Sequence, residues 1–136
     1  PMNLRLDIYS LFNTNLKISH IIDIDHFVPK SLLGPGNIIE NLVPIGLSLN
    51  RYKSNSIPSG FFQVANSHKS LKSFVKVKHI DKLNFIRGDK NAEEQAMKIN
   101  QKILEWPIEK ARGFYKQVLK KHHPEYVEII SNFNNN

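Results

Sequence analysis

The segment from Asp23 to Ser31, DIDHFVPKS, ends an apolar run on two carboxylates and an imidazole and then places a proline. Such groups resist burial, so a strand that finishes on them presents them to a ligand or to solvent. Histidine is largely neutral at physiological pH and still accepts a proton, because its unperturbed pKa is about 6.5. His26 is therefore the candidate general base of a hydrolysis. A hard divalent cation such as Mg²⁺ takes oxygen ligands and keeps several waters, so one or two protein groups are enough to hold it. Asp25 and the side-chain oxygen of Asn50, within the later stretch NLVPIGLSLNRYKSN (41–55), are the candidate ligands, and Asp23 is the alternative to Asp25. Lys30, Arg51 and Lys53 flank the same residues and are candidates to grip phosphates. A base, a cation and basic side chains that hold a strand are the requirements of phosphodiester hydrolysis.

Whether these residues meet depends on the elements that carry them. Residues 17–25 are rich in β-branched side chains and read as a strand. Residues 34–37, GPGN, read as a turn or loop tip, and 41–47 as a second strand made irregular or edge-like by Pro44 and Gly46. Ser48 is a plausible N-cap for a short helix over LNRYKSN that must finish before Pro58. If the two strands pair antiparallel around the loop, the end of the first faces the turn into the helix holding Asn50. Strand alternation sends Asp25 and His26 to opposite sides, which suits an in-line displacement, and both reach one phosphate only if the backbone bends by Pro29.

Around this centre the chain reads as helical. Leu4, Ile8, Leu11 and Phe12 recur at helical spacing near the amino end. Ala92, Ala96, Ile99 and Ile103 make one helical stripe that ends at Trp106 and Pro107, and Trp106 is expected in the core. A following helix has Ile108, Ala111, Tyr115, Val118 and Leu119 inside, and Lys110, Arg112, Lys116, Lys120 and Lys121 outside. His122 and His123 sit at its carboxyl end, where positive charge suits the helix dipole, and are assigned no metal. Residues 59–89 are the least legible. Val75 to Lys78 alternate like an exposed strand, whereas Leu71, Phe74 and Val75 also fit a helix, and both readings stay open. The tail NFNNN reads as a frayed, low-complexity end.

Composition narrows the classes. A chain of 136 residues supports one ordinary core, so a single α+β domain over 1–136 is expected, with the motif at about 18–58 and a helical part at about 91–131. Lys+Arg 19 against Asp+Glu 12 gives a formal charge of +7, which favours a polyanion such as nucleic acid as partner. The absence of cysteine excludes disulfides and thiolate zinc sites. No apolar run approaches the roughly 20 residues that span a bilayer, and the amino end lacks the apolar segment of a signal peptide. The expectation is a soluble, cytoplasmic chain without a membrane partner. A start on Pro1 leaves open a processed product or a piece of something longer.

The two quoted stretches resemble the HNH nucleases, also called His-Me finger or ββα-metal nucleases. They are nearest to the HNH domain of CRISPR effectors and the C-terminal nuclease of modification-dependent restriction enzymes. The resemblance covers about residues 18–58. It implies a ββα-metal centre with a short two-stranded antiparallel hairpin packed among helices. It implies an endonuclease acting on DNA, with RNA also possible, through one Mg²⁺ or Mn²⁺ ion. His26 would be the general base, Asp25 and Asn50 the metal ligands, and Asn41 the middle asparagine that orients the histidine through the backbone. Asn50 stands where many members carry histidine, which leans toward Mg²⁺ or Mn²⁺. The cysteine pairs that bind structural zinc in many members are missing, so helices before and after must brace the site. An effector domain of a restriction or defence system, given its specificity by a larger protein or partner, fits this reading.

Each residue also has a plainer reading. His26 can be a hydrogen-bonded histidine at a strand end, Asp25 a turn carboxylate, Asn50 a helix start, and Asn41 a strand terminus. The lysines and arginines can be solvated surface charge. Two rival functions follow: a non-catalytic nucleic-acid-binding domain of the same fold, or a helical protein-interaction module built on the stripe from Ala92 to Leu119.

Overall fold

The computed structural model describes residues 22–46, 56–78, 80–81 and 84–134. The helices expected over 4–12 and after Ser48 lie outside these residues, as do 17–21 of the first expected strand. Among the described residues the chain is α+β, with four α-helices and two small antiparallel sheets. Strand β1 (Ile22–His26) pairs with β2 (Leu42–Gly46) in a register that sets His26 opposite Leu42, Asp25 opposite Val43 and Ile24 opposite Pro44. Proline is tolerated there because both strands of a two-stranded sheet are edges. The second sheet pairs β3 (Ile57–Pro58) with β4 (Phe85–Ile86).

The connection from β1 to β2 is a folded loop. The backbone bends at Phe27 and Val28, ahead of Pro29, where a bend is expected, but Asp25 and His26 precede it in regular strand register and so project to opposite faces. Two 3₁₀ turns follow, Lys30–Leu32 and Ile39–Asn41. Between them Gly36 has φ of 72°, a left-handed conformation that suits glycine. Gly34 is needed for a different reason, since a Cβ there would lie 2.5 Å from the Val28 carbonyl oxygen and 2.8 Å from that of Pro29. Asn41 closes the second turn, and β2 begins one residue after the expected start at 41.

Helix α1 (Ser59–Asn66) occupies part of the stretch that was hardest to read. Phe61, Phe62, Val64 and Ala65 are all buried. The helix is short and contains Gly60, Phe61, Phe62 and Val64, all weak helix formers, so local propensity does not mark it. Residues 72–74 form a 3₁₀ turn, and neither the strand nor the helix considered for this stretch is present. Helix α2 (Lys90–Leu104) starts on Asp89, whose carboxylate accepts from the Ala92 N–H at 3.1 Å, and buries the expected Ala92, Ala96, Ile99 and Ile103. Trp106 is partly buried at the edge of the core.

Helix α3 (Ile108–His122) follows Pro107, and α4 (Pro124–Asn134) begins on a proline, the residue best suited to a first helical position. Ala111, Tyr115, Val118 and Leu119 of α3 are buried as expected, but Ile108 is 62% exposed and Phe114 takes its place inside. Ile108 is the first residue of the helix, where the chain is still turning from α2 into α3. Helix α3 is the hub, packing on α1, on α4 and on the Ile39–Asn41 turn, while α2 packs on the Lys30–Leu32 turn. No helix of the described residues is long and apolar enough to cross a membrane.

Candidate functional site

Asp25 and His26 are the last two residues of β1, and both are half-buried. The partners across the sheet, Val43 and Leu42, are buried, so the strand end stands on a solid floor. The Asp25 Oδ2 is sealed from solvent. His26 Nε2 lies 2.7 Å from Oδ1 of Asn37, a residue of the intervening loop.

Beyond the paired residues, Asn41 prolongs the sheet with its side chain. The Phe27 N–H donates to the Asn41 carbonyl at 2.8 Å. The Asn41 Oδ1 then accepts from the Val28 N–H at 2.8 Å, and its Nδ2 donates to the carbonyls of Val28 at 3.2 Å and Gly36 at 3.4 Å. Both polar groups of Val28 are thus satisfied by one amide. Asn41 is 1% exposed, and a buried amide with its bonds made holds its partners in one arrangement, since breaking them leaves unsatisfied groups away from water. The exit of β1 and the tip of the loop are therefore tied to the start of β2.

The helices hold this loop at two points. On one limb, Asn100 of α2, fully buried, donates from Nδ2 to the Leu32 carbonyl at 2.8 Å, while its Oδ1 accepts from the Tyr115 hydroxyl of α3 at 2.7 Å. Burial pushes the Tyr115 hydroxyl well above its ordinary pKa, which keeps it a neutral donor. On the other limb, Arg112 of α3 grips Glu40 with Nε at 3.1 and 3.2 Å and Nη2 at 2.8 Å. Hydrogen bonding to Glu40 raises the pKa of the guanidinium. The outward placement expected for Arg112 is thus corrected: its stem leaves α3 beside the Ile39–Asn41 turn, where the buried Glu40 carboxylate needs a cation.

Phe27, next to His26, is 1% exposed and packs edge-on against His122 and His123, with ring centroids 5.2 and 5.6 Å apart. His122 Nε2 accepts from the Gly60 N–H at 3.0 Å, so the end of α3 caps the start of α1. His123 stacks on Tyr126 at 4.6 Å and meets Glu125 at 3.2 Å through Nδ1. These histidines serve packing and capping in addition to any dipole effect.

Of the residues read from the sequence, Asp25 and His26 end β1, Asn41 precedes β2 and binds the backbone of Phe27 and Val28, and Lys30 is exposed on the first 3₁₀ turn. Asp23 lies in β1 opposite Ile45, its side chain outside the described residues, as are Asn50, Arg51 and Lys53 altogether. Among the described residues no group of three or more His, Cys, Asp and Glu is placed to hold a metal ion. Asp25 does offer the hard oxygen donor that Mg²⁺ takes. On the basic face of α3, Lys110 lies over the Trp106 ring at 4.2 Å, and Lys120 and Lys121 are exposed.

Sequence reading passed over Asn37, Glu40, Asn100 and the Tyr115 hydroxyl. A buried asparagine inside an apolar stripe, as at Asn100, is the one signal that was available. The others sit in ordinary turn or helix positions and acquire partners only through the fold. No family model, curated protein or solved structure matches this chain.

Proposed function

We propose that this chain is a metal-dependent endonuclease of the HNH kind that hydrolyses phosphodiester bonds in DNA. The observation that carries the reading is the Asn41 clamp, a buried amide that binds both polar groups of Val28 and so fixes the backbone beside His26. A plain strand-end histidine has no need of such a clamp. Rigid support from neighbouring groups is what a base needs to stay within reach of one reacting atom.

In this mechanism His26 takes a proton from the water that attacks phosphorus. Asn41 holds the backbone that aims the ring, and the grips of Asn100 and Arg112 keep the loop from drifting. Asp25 and Asn50 would hold Mg²⁺ or Mn²⁺, which when bound supplies charge stabilisation for the departing 3′ oxygen. Lys30, Arg51 and Lys53 hold the phosphate backbone, and the formal charge of +7 adds a long-range attraction for it. In this reading the chain is the effector domain of a restriction or defence system, with specificity lent by a partner.

The test uses supercoiled plasmid with Mg²⁺, with Mn²⁺ and with chelator. Nicking or linearisation is expected with either metal and not with chelator, and His26→Ala and Asp25→Asn are expected to abolish it. Salt-dependent binding by the wild-type chain with no cleavage under either metal, on double-stranded, single-stranded or RNA substrates, would move the assignment to a non-catalytic binding domain.

A further inference from the structure

We infer that Asn37 is the positioning residue of His26: its amide oxygen accepts the Nε2 proton, which leaves Nδ1 as the bare nitrogen that can take a proton. This rests on the reading of His26 as a general base. The 2.7 Å separation between Nε2 and Oδ1 is that of a short hydrogen bond, and an amide oxygen can only accept. The proton of the neutral ring therefore belongs on Nε2, and the hydrogen bond at one nitrogen decides the role of the other.

The loop is built to bring Asn37 there. Gly36 turns the chain at φ 72°, its carbonyl accepts from the Asn41 Nδ2 at 3.4 Å, and the Ile38 carbonyl accepts from the Asn41 N–H at 3.0 Å. Asn41 thus holds the residues on both sides of Asn37 while it also holds Val28. One asparagine fixes the backbone that leads away from the imidazole, and the other fixes the ring. Asn37 is otherwise exposed, so its side chain is not held by burial.

The experiment is ¹⁵N NMR of the imidazole in the full chain without metal, run beside plasmid cleavage, for wild type, Asn37→Ala and Asn37→Asp. The wild-type ring is expected as a single tautomer, with Nε2 protonated and Nδ1 bare. Asn37→Ala is expected to move both resonances toward the average of two exchanging tautomers and to lower kcat roughly 10-fold with KM little changed, the scale of one lost positioning hydrogen bond. Asn37→Asp keeps an acceptor at the same place and is expected to restore the wild-type tautomer. A wild-type ring protonated on Nδ1, a mixed tautomer, or resonances that Asn37→Ala leaves unmoved would each overturn the assignment, even if the plasmid is cut. The expected tautomer behaviour with a plasmid that no metal allows to be cut would instead leave the ring assignment standing and remove the nuclease reading.

Discussion

Arg112 closes on Glu40 through contacts of 3.1, 3.2 and 2.8 Å, and Glu40 is the residue before Asn41. The helix that forms the hub of the core thus holds the loop one residue away from the amide that fixes the strand end bearing His26. Removing Arg112 leaves a carboxylate whose side chain is 5% exposed without its cation. Loss of one partner of a buried pair costs about 3–5 kcal/mol, and because the guanidinium is 32% exposed the low end of that range is expected. Urea unfolding of Arg112→Met should show this loss. The double variant Arg112→Met with Glu40→Leu should recover most of it, since no charge is then left buried. Equal losses in the single and double variants would show that the pair is not what holds the turn.

The Asn41 clamp makes a sharper demand. Asn41→Leu keeps the volume but leaves the buried Val28 N–H and carbonyl without their side-chain partners, at a cost of roughly 2–3 kcal/mol. At a temperature where the variant remains folded, plasmid cleavage should still fall at least about 10-fold, because the ring is no longer held within its working geometry. Cleavage at the wild-type rate by the folded variant would remove Asn41 from the mechanism.

Tyr115 sets a pH dependence whose sign can be worked out. Its hydroxyl is raised above the ordinary value of 10.0 by burial. Above about pH 10 the unfolded chain loses this proton while the folded chain keeps it, so the unfolded state is favoured and stability falls as pH rises. Below that both states hold the proton and Tyr115 adds no slope. Tyr115→Phe should flatten the alkaline fall, measured as denaturation midpoints from about pH 7 to pH 11. Tyr126, raised by burial and by Glu125, leaves a residual slope of the same sign. At neutral pH the variant should lose about 1–3 kcal/mol, because the Asn100 Oδ1 loses its donor. An unchanged alkaline slope would count against a buried Tyr115.

Two glycines should respond oppositely to the same change. A Cβ on Gly60 would meet Lys121 Cβ at 2.8 Å and His122 Nε2 at 2.9 Å, so Gly60→Ala drives α1 and α3 apart where His122 caps the start of α1. The expected cost is about 1–3 kcal/mol. Gly113, within α3, has nothing within 4 Å of such a Cβ, and Gly113→Ala should stabilise by up to about 1 kcal/mol through helix propensity. Thermal melts of the two variants check this, and stabilisation by Gly60→Ala would contradict the close packing of α1 on α3.

The amino-acid sequence by itself determined the parts whose signal is local. The β-branched run that becomes β1, the bend ahead of Pro29, the stripe from Ala92 to Ile103 and the buried face of α3 at Ala111, Tyr115, Val118 and Leu119 all follow from spacing and residue type. The candidate base His26 and candidate ligand Asp25 were legible for the same reason, as polar groups placed where an apolar strand should end. Helix α1 escaped because it is short and rich in weak helix formers, Gly60, Phe61, Phe62 and Val64. Only the tertiary structure decided that Arg112 serves Glu40, that Asn100 and Tyr115 hold Leu32, that His122 caps α1, and that Asn37 reaches the His26 ring. Contacts such as Arg112 with Glu40 join residues 72 positions apart. A hydrogen-bonding side chain carries no mark of its distant partner until packing of the apolar faces has set the two within about 3 Å.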